Sequence, residues 1–190
     1  MKRIPLLAAV LSVALARTDA LGAGEDMRDE MNAIAEAVRF VLPLDLADER
    51  LREPALHARV ESSLSLLEHS SQRLAAHGGG SDAAFSYLSR VLANAARDAH
   101  RRFVAGRAGE AQFLVQQLGE ACIACHSRLP GEPEPSLQSR FADGAEPSRL
   151  PLPQRARFEY ATHQFERALA SYEALLASPA VAPNDLDLLG

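Results

Sequence analysis

Residues 108–127 read AGEAQFLVQQLGEACIACHS, and two patterns are superimposed on them. Phe113, Leu114, Leu118, Cys122 and His126 recur at the three- and four-residue spacing of one helical face. Pro130-Gly131 stops the run just beyond. The last two turns of this helix also carry both cysteines of the chain, Cys122 and Cys125, followed at once by His126. A helix with a single apolar face needs neighbours to cover it, so the fold depends on whether the flanking sequence supplies them.

Upstream, it supplies three. Ser81 or Asp82 offers an N-cap to a helix that carries Phe85, Leu88, Leu92, Ala95/Ala96, Ala99 and Phe103 on one side, with Gly106 and Gly109 bracketing its end. Before it, Glu53-Pro54 can open a helix through Leu56, Val60, Leu64, Leu67 and Leu74, until HGGGS at 77–81 breaks it. From Glu25 a further stripe runs through Met27, Met31, Ile34, Val38 and Val41/Leu42, and Pro43 is expected to end it. Four one-faced helices with mostly short connections pack most economically as an antiparallel up-down-up-down bundle. The expectation is an all-α chain whose residues 25–129 form that bundle. The composition agrees: 47% hydrophobic, only 5% aromatic and no tryptophan, with alanine and leucine where strands would favour β-branched residues.

Downstream, residues 130–153 are rich in proline, glycine and charge and read as a linker or extended wrap. Helical patterning resumes at 154–190, where Phe158, Ala161, Phe165, Ala168/Leu169, Tyr172 and Leu175/Leu176 form one amphipathic helix. ERALASYEALLASP within it faintly resembles the second helix of a tetratricopeptide repeat, with no earlier copy in the chain. Such a helix must pack on the bundle or pair with its twin in a homodimer.

The start, residues 1–20, has a basic opening, an apolar stretch from Ile4 to Leu15 and small-residue cleavage sites, the pattern of a secretory signal peptide. It is shorter than the roughly 20 apolar residues of a membrane-spanning helix, so stable membrane insertion is not expected and a periplasmic location is. Cleavage after Ala20 removes three basic residues and one acidic one, taking the formal charge from -5 to -7. No basic stripe suits phosphate, and nucleic acid is not an expected partner.

The cysteines admit four chemistries. A redox dithiol belongs at a helix N-terminus, where the dipole favours thiolate, and this motif lies at the opposite pole. A structural zinc site needs a fourth ligand brought from elsewhere in the chain. A disulfide across so short a loop in helical backbone is strained and gives little entropic stabilisation. Cys-x-x-Cys-His is instead the pattern of covalent haem, two thiols joining the vinyl groups and the adjacent imidazole reaching iron. Positions i, i+3 and i+4 of a helix project to one side, as a flat macrocycle requires. Export agrees with that chemistry, because bacteria attach haem to thiols outside the cytoplasm.

A four-helix bundle with CIACH near the end of its fourth helix resembles the cytochrome c′ superfamily over residues 25 to about 129. DEMNAIAEAVRFV at 29–41 is similar to the low-spin members, which place a methionine ligand early in the first helix in a D-x-M-x-x-I/L frame; here that position is Met31. The resemblance implies one covalent haem c held by Cys122 and Cys125, with His126 and Met31 as axial ligands. It also implies an electron carrier rather than an enzyme. In an antiparallel bundle His126 and Met31 fall roughly 6 and 9 Å from the same end. Met27, one turn earlier, and His77 are the competing ligands. An open sixth position would instead make the protein a binder or sensor of a diatomic gas such as nitric oxide. Helical phase places Ile34, Leu67, Leu74, Phe85, Leu88 and Leu118 in the pocket layer, and Arg128 near a propionate. His57 and His100, at the far end, and His163, outside the bundle, are expected in solvent. His/Met ligation raises the reduction potential, and an acidic surface suits a redox partner with a basic docking surface. Family members usually end soon after the haem histidine, so residues 130–190 lie beyond the resemblance.

Overall fold

The computed structural model describes residues 26–44, 46, 50–77, 82–128, 137–142 and 149–179. The expected signal peptide, parts of the expected linker and residues 180–190 lie outside them. Helix α1 covers 26–44, followed by 3₁₀ turns at Arg50–Arg52 and Pro54–Leu56. The further helices are α2 (His57–His77), α3 (Ala83–Val104), α4 (Ala108–His126), α5 (Leu137–Ala142), α6 (Leu152–Ala161) and α7 (Phe165–Leu176). The fold is all-helical, a helical bundle with additional C-terminal helices.

Local chemistry explains most boundaries. The Asp82 carboxylate accepts from the Ala84 amide at 3.1 Å, capping α3. At its other end Gly106 adopts φ 74°, its amide donates to the Phe103 carbonyl and the Arg107 amide donates to the Arg102 carbonyl. These bonds make a Schellman closure with glycine at its left-handed position. Pro43, by contrast, does not stop α1: residue 44 is still helical, and Leu42, Leu44 and Leu46 are all buried. Burying three leucines outweighs the lost amide donor this close to a helix end.

The bundle core is a leucine and alanine interior. Val60, Leu64 and Leu67 of α2, Ala96 and Ala99 of α3, and Ala111, Val115 and Leu118 of α4 are essentially inaccessible. Val38, Val41 and Leu42 of α1 share with Leu67, Val115, Leu118 and Gly119 the walls of a small apolar cavity of about 10 Å³. Because α1 and α4 meet there, residues 38–42 face 115–119. Between α1 and α2, the Arg73 guanidinium grips the Glu30 carboxylate through Nε at 2.5 Å and Nη2 at 2.8 Å. Hydrogen bonding to Arg73 is the main reason the Glu30 carboxyl titrates below its ordinary range. Two histidines expected in solvent also have partners: His100 Nδ1 lies 2.6 Å from Glu68 Oε2 in a partly buried pair, and the His57 ring stacks on Phe103 at 4.8 Å. His100 is thus partly buried, whereas His57 keeps the exposure expected of it.

The C-terminal region departs furthest from its expected form. Phe141 of α5 and Leu150 are buried members of the main core, so the segment expected as a linker packs on the domain. The expected single helix is broken at Thr162–Gln164 into the hairpin α6–α7. Buried polar bonds hold the break: Thr162 Oγ1 donates to the Phe158 carbonyl at 2.8 Å, Gln164 Nε2 donates to Thr162 Oγ1 at 2.8 Å, and Ser171 Oγ donates to the buried Glu159 carboxylate at 2.6 Å. Folding back solves the problem of the unpartnered stripe, because each half covers the other. Phe158, Ala168 and Leu175 are buried, whereas Phe165, Leu169 and Leu176, which continuous helical phase put on the same side, are exposed.

At this break the chain repeats the Schellman closure seen after α3. The His163 amide donates to the Tyr160 carbonyl and the Gln164 amide to the Glu159 carbonyl, with His163 at φ 61°. Among the described residues it is the one non-glycine with positive φ. Histidine tolerates this region better than most residues, but L-chirality still costs it about 1–2 kcal/mol there relative to glycine.

Candidate functional site

Cys122, Cys125 and His126 occupy the last two turns of α4, and all three are half-buried. Both thiols are free. The helix ends at Ser127, whose amide donates to the Ile123 carbonyl, while Arg128 Nη1 reaches back to the Ala124 carbonyl at 2.8 Å. Arg128 thus caps the negative end of the helix beside the cysteine pair.

Burial pushes the Cys122 thiol up to about 11, with the neighbouring Cys125 adding to the effect. Burial also raises Cys125, against a smaller opposing pull from the Arg128 charge. Both groups therefore rest as neutral thiols at neutral pH, the reverse of what a redox dithiol needs. Among the described residues no group of three His, Cys, Asp or Glu is gathered as a metal site. The titration gives a direct test. In haem-free protein, alkylation of Cys122 by iodoacetamide should rise about tenfold per pH unit and level off only near pH 11. Peptide mass spectrometry measures this, and saturation near pH 8 would show an activated thiol.

The helix register bears on the remaining expected site residues. With residues 38–42 opposite 115–119, Met31 lies seven residues before the first group and His126 seven after the second. At 1.5 Å per residue along antiparallel helices the two stand at one level. Met27 falls a turn beyond it. Met31 and Met27 are both half-buried against the core. Ile34, Leu67, Leu74 and Leu118 are fully buried, and Phe85 packs against the same cluster. Leu88 is half-exposed and stands apart from that cluster. His77 is exposed at the end of α2, close enough to Glu30 to act on its titration.

One neighbour of the motif went unanticipated. His163 is not in solvent: it is 8% exposed, and its ring meets that of His126 edge-on, centroids 5.9 Å apart and planes at 85°. Its other side stacks on Phe165 at 5.0 Å. What brings it there is the docking of α6 on α4, where a Cβ at Gly119 would stand 2.9 Å from the Ala161 Cβ. Three successive polar residues, Thr162-His163-Gln164, interrupt the apolar stripe and were the available signal for a turn.

No family model, curated protein or solved structure matches this chain. Its chemistry is therefore argued from its own residues. The donor set suits a covalently held haem: two neutral thiols and an imidazole at i, i+3 and i+4 of one helix, a thioether at the same level of the antiparallel helix, and apolar walls below.

Proposed function

We propose that this protein is an exported mono-haem c-type cytochrome that carries single electrons. What supports the reading is the CIACH run at the end of α4 with both thiols unbonded, together with the level that helix rise assigns to Met31 opposite His126. Cys122 and Cys125 each add an S–H across a vinyl group, forming a thioether with no leaving group and no net redox change. His126, the next residue, and Met31 of α1 would be the residues that ligate the iron. When bound, haem supplies the one-electron chemistry. The chain supplies ligands, orientation and a dry surround in the leucine layer of Ile34, Leu67, Leu74 and Leu118.

Thioether ligation favours ferrous iron and so a raised potential. An acidic chain meets a redox partner whose docking surface is basic through weak, salt-sensitive contacts, as transient electron transfer requires. Among the described residues no helix is long and apolar enough to cross a membrane.

The test is optical. Protein secreted by a host able to attach haem should give a c-type pyridine haemochrome, and its ferric form should show the near-infrared methionine-to-iron charge-transfer band. Met31→Ala should abolish that band and turn the spectrum high-spin. A high-spin spectrum in the parent, unchanged by Met31→Ala, would instead mark a five-coordinate iron open to nitric oxide or another diatomic gas.

A further inference from the structure

We infer that His163 is a positioning residue for the iron ligand His126: the turn of the C-terminal hairpin holds the ring plane of His126 and keeps water from it. The inference rests on the haem reading above and extends it to the C-terminal hairpin.

Three independent features converge on His163. First, the α3 and α6 helices end in the same hydrogen-bonded closure, one with Gly106 at the left-handed position and the other with His163. Folding alone favours glycine at such a position. A strained residue kept where glycine fits points to a task for its side chain. Second, that side chain is buried, lying between the His126 ring at 5.9 Å and the Phe165 ring at 5.0 Å. Third, the turn has little freedom to drift, because α4 and α6 meet at Gly119 and Ala161 with only the alanine methyl between them. The buried bonds from Thr162 and Gln164 fix the turn from within.

An iron-bound imidazole can still rotate about the bond joining it to its helix. Its ring plane sets the overlap with the iron orbitals, and groups packed around it are what choose that plane. The perpendicular contact with His163 supplies such a choice. The ring also covers His126 on its hairpin side, and water admitted there would favour the more highly charged ferric state.

The experiment uses full-length holoprotein with His163→Gly, which keeps the turn and deletes the ring, and His163→Phe, which keeps a ring. His163→Gly should leave the melting temperature at or above that of the parent. It should also shift the ferric/ferrous equilibrium toward ferric by on the order of tenfold, a fall of about 59 mV for one electron. The ferric electron paramagnetic resonance lines should broaden as the ring plane loses definition. His163→Phe should return the potential to within about twofold of the parent equilibrium.

Parental potential and line shape in His163→Gly would overturn the inference, as would an equal shift in His163→Phe. Loss of the low-spin spectrum in the His163 variants but not in Met31→Ala would make His163 a ligand and overturn it too. If neither His163 variant folds, Phe165→Ala decides, since Phe165 is half-exposed and backs the ring. A shift in the same direction supports the inference and none overturns it. A parent without a pyridine haemochrome would instead sink the haem reading. The ring contact would then be tested in haem-free protein by the nuclear Overhauser effect between His126 and His163, whose absence would overturn the positioning role.

Discussion

Replacing Cys122 and Cys125 together by alanine should yield a protein that folds but carries no haem that survives acid-acetone extraction. The two thiols are the whole covalent tether in this reading, so the expected loss is complete rather than graded. The fold should survive because each cysteine contributes only a small half-buried side chain at the end of α4, while the core beneath is built from Ala111, Val115 and Leu118. Circular dichroism should show helicity close to that of the parent. Cys125→Ala alone should retain haem through one thioether, leaving one vinyl group unsaturated and moving the pyridine haemochrome band to the red. If the double variant keeps extraction-resistant haem, the attachment lies elsewhere and the proposed site is wrong. If the parent is colourless and both sulfurs can be alkylated, the whole functional reading fails.

Gly119→Val should be strongly destabilising. A Cβ at residue 119 already falls 2.9 Å from the Ala161 Cβ, and the two γ-methyls of valine cannot be accommodated without moving α6 away from α4. Overpacking of this kind costs about 1–3 kcal/mol, and the upper end is expected because both obstructing atoms lie on or next to helix backbone. For a chain of this size that corresponds to a fall in melting temperature of about 6–12 °C. Ala161→Gly in the same molecule should recover part of the loss by opening space on the opposing helix. An unchanged melting temperature in Gly119→Val would mean that the hairpin does not sit on α4 as described. The variant also separates the hairpin from His126, so it links stability to the environment of that ring.

The bundle was legible because each of its helices announces itself locally. Asp82 caps where a cap residue was expected, Pro54 opens the turn that leads into α2, and the apolar faces of α2 and α3 keep their period over many turns. On α4 the expected Phe113 is exposed, and Ala111, Val115 and Leu118 make the buried face instead. Pro43 misled for an equally physical reason: its local cost is real but smaller than the burial of its leucine neighbours. The C-terminal region was opaque because tertiary contacts decide it. The period of Phe158, Phe165 and Leu169 is that of one long helix, and nothing short-range outbids it. The break becomes favourable only when Glu159 finds Ser171 across the hairpin and Ala161 finds a glycine forty-two positions earlier. Of the candidate site, the spacing of the two cysteines and His126 put them in the last turns of one helix, where the structure has them. His163 could not be read at all, since an isolated histidine on an amphipathic stripe looks like a surface residue until the turn is known.

The contrast between Gly106 and His163 has a consequence for how this chain would respond to selection. A laboratory screen for heat tolerance alone, blind to colour, should drive position 163 toward glycine, as ordinary relief of conformational strain. Under the electron-carrying role proposed above, lineages should resist that exchange while accepting changes freely at Phe113 or Leu176. Mutational tolerance at one turn would thus record a trade between durability and work.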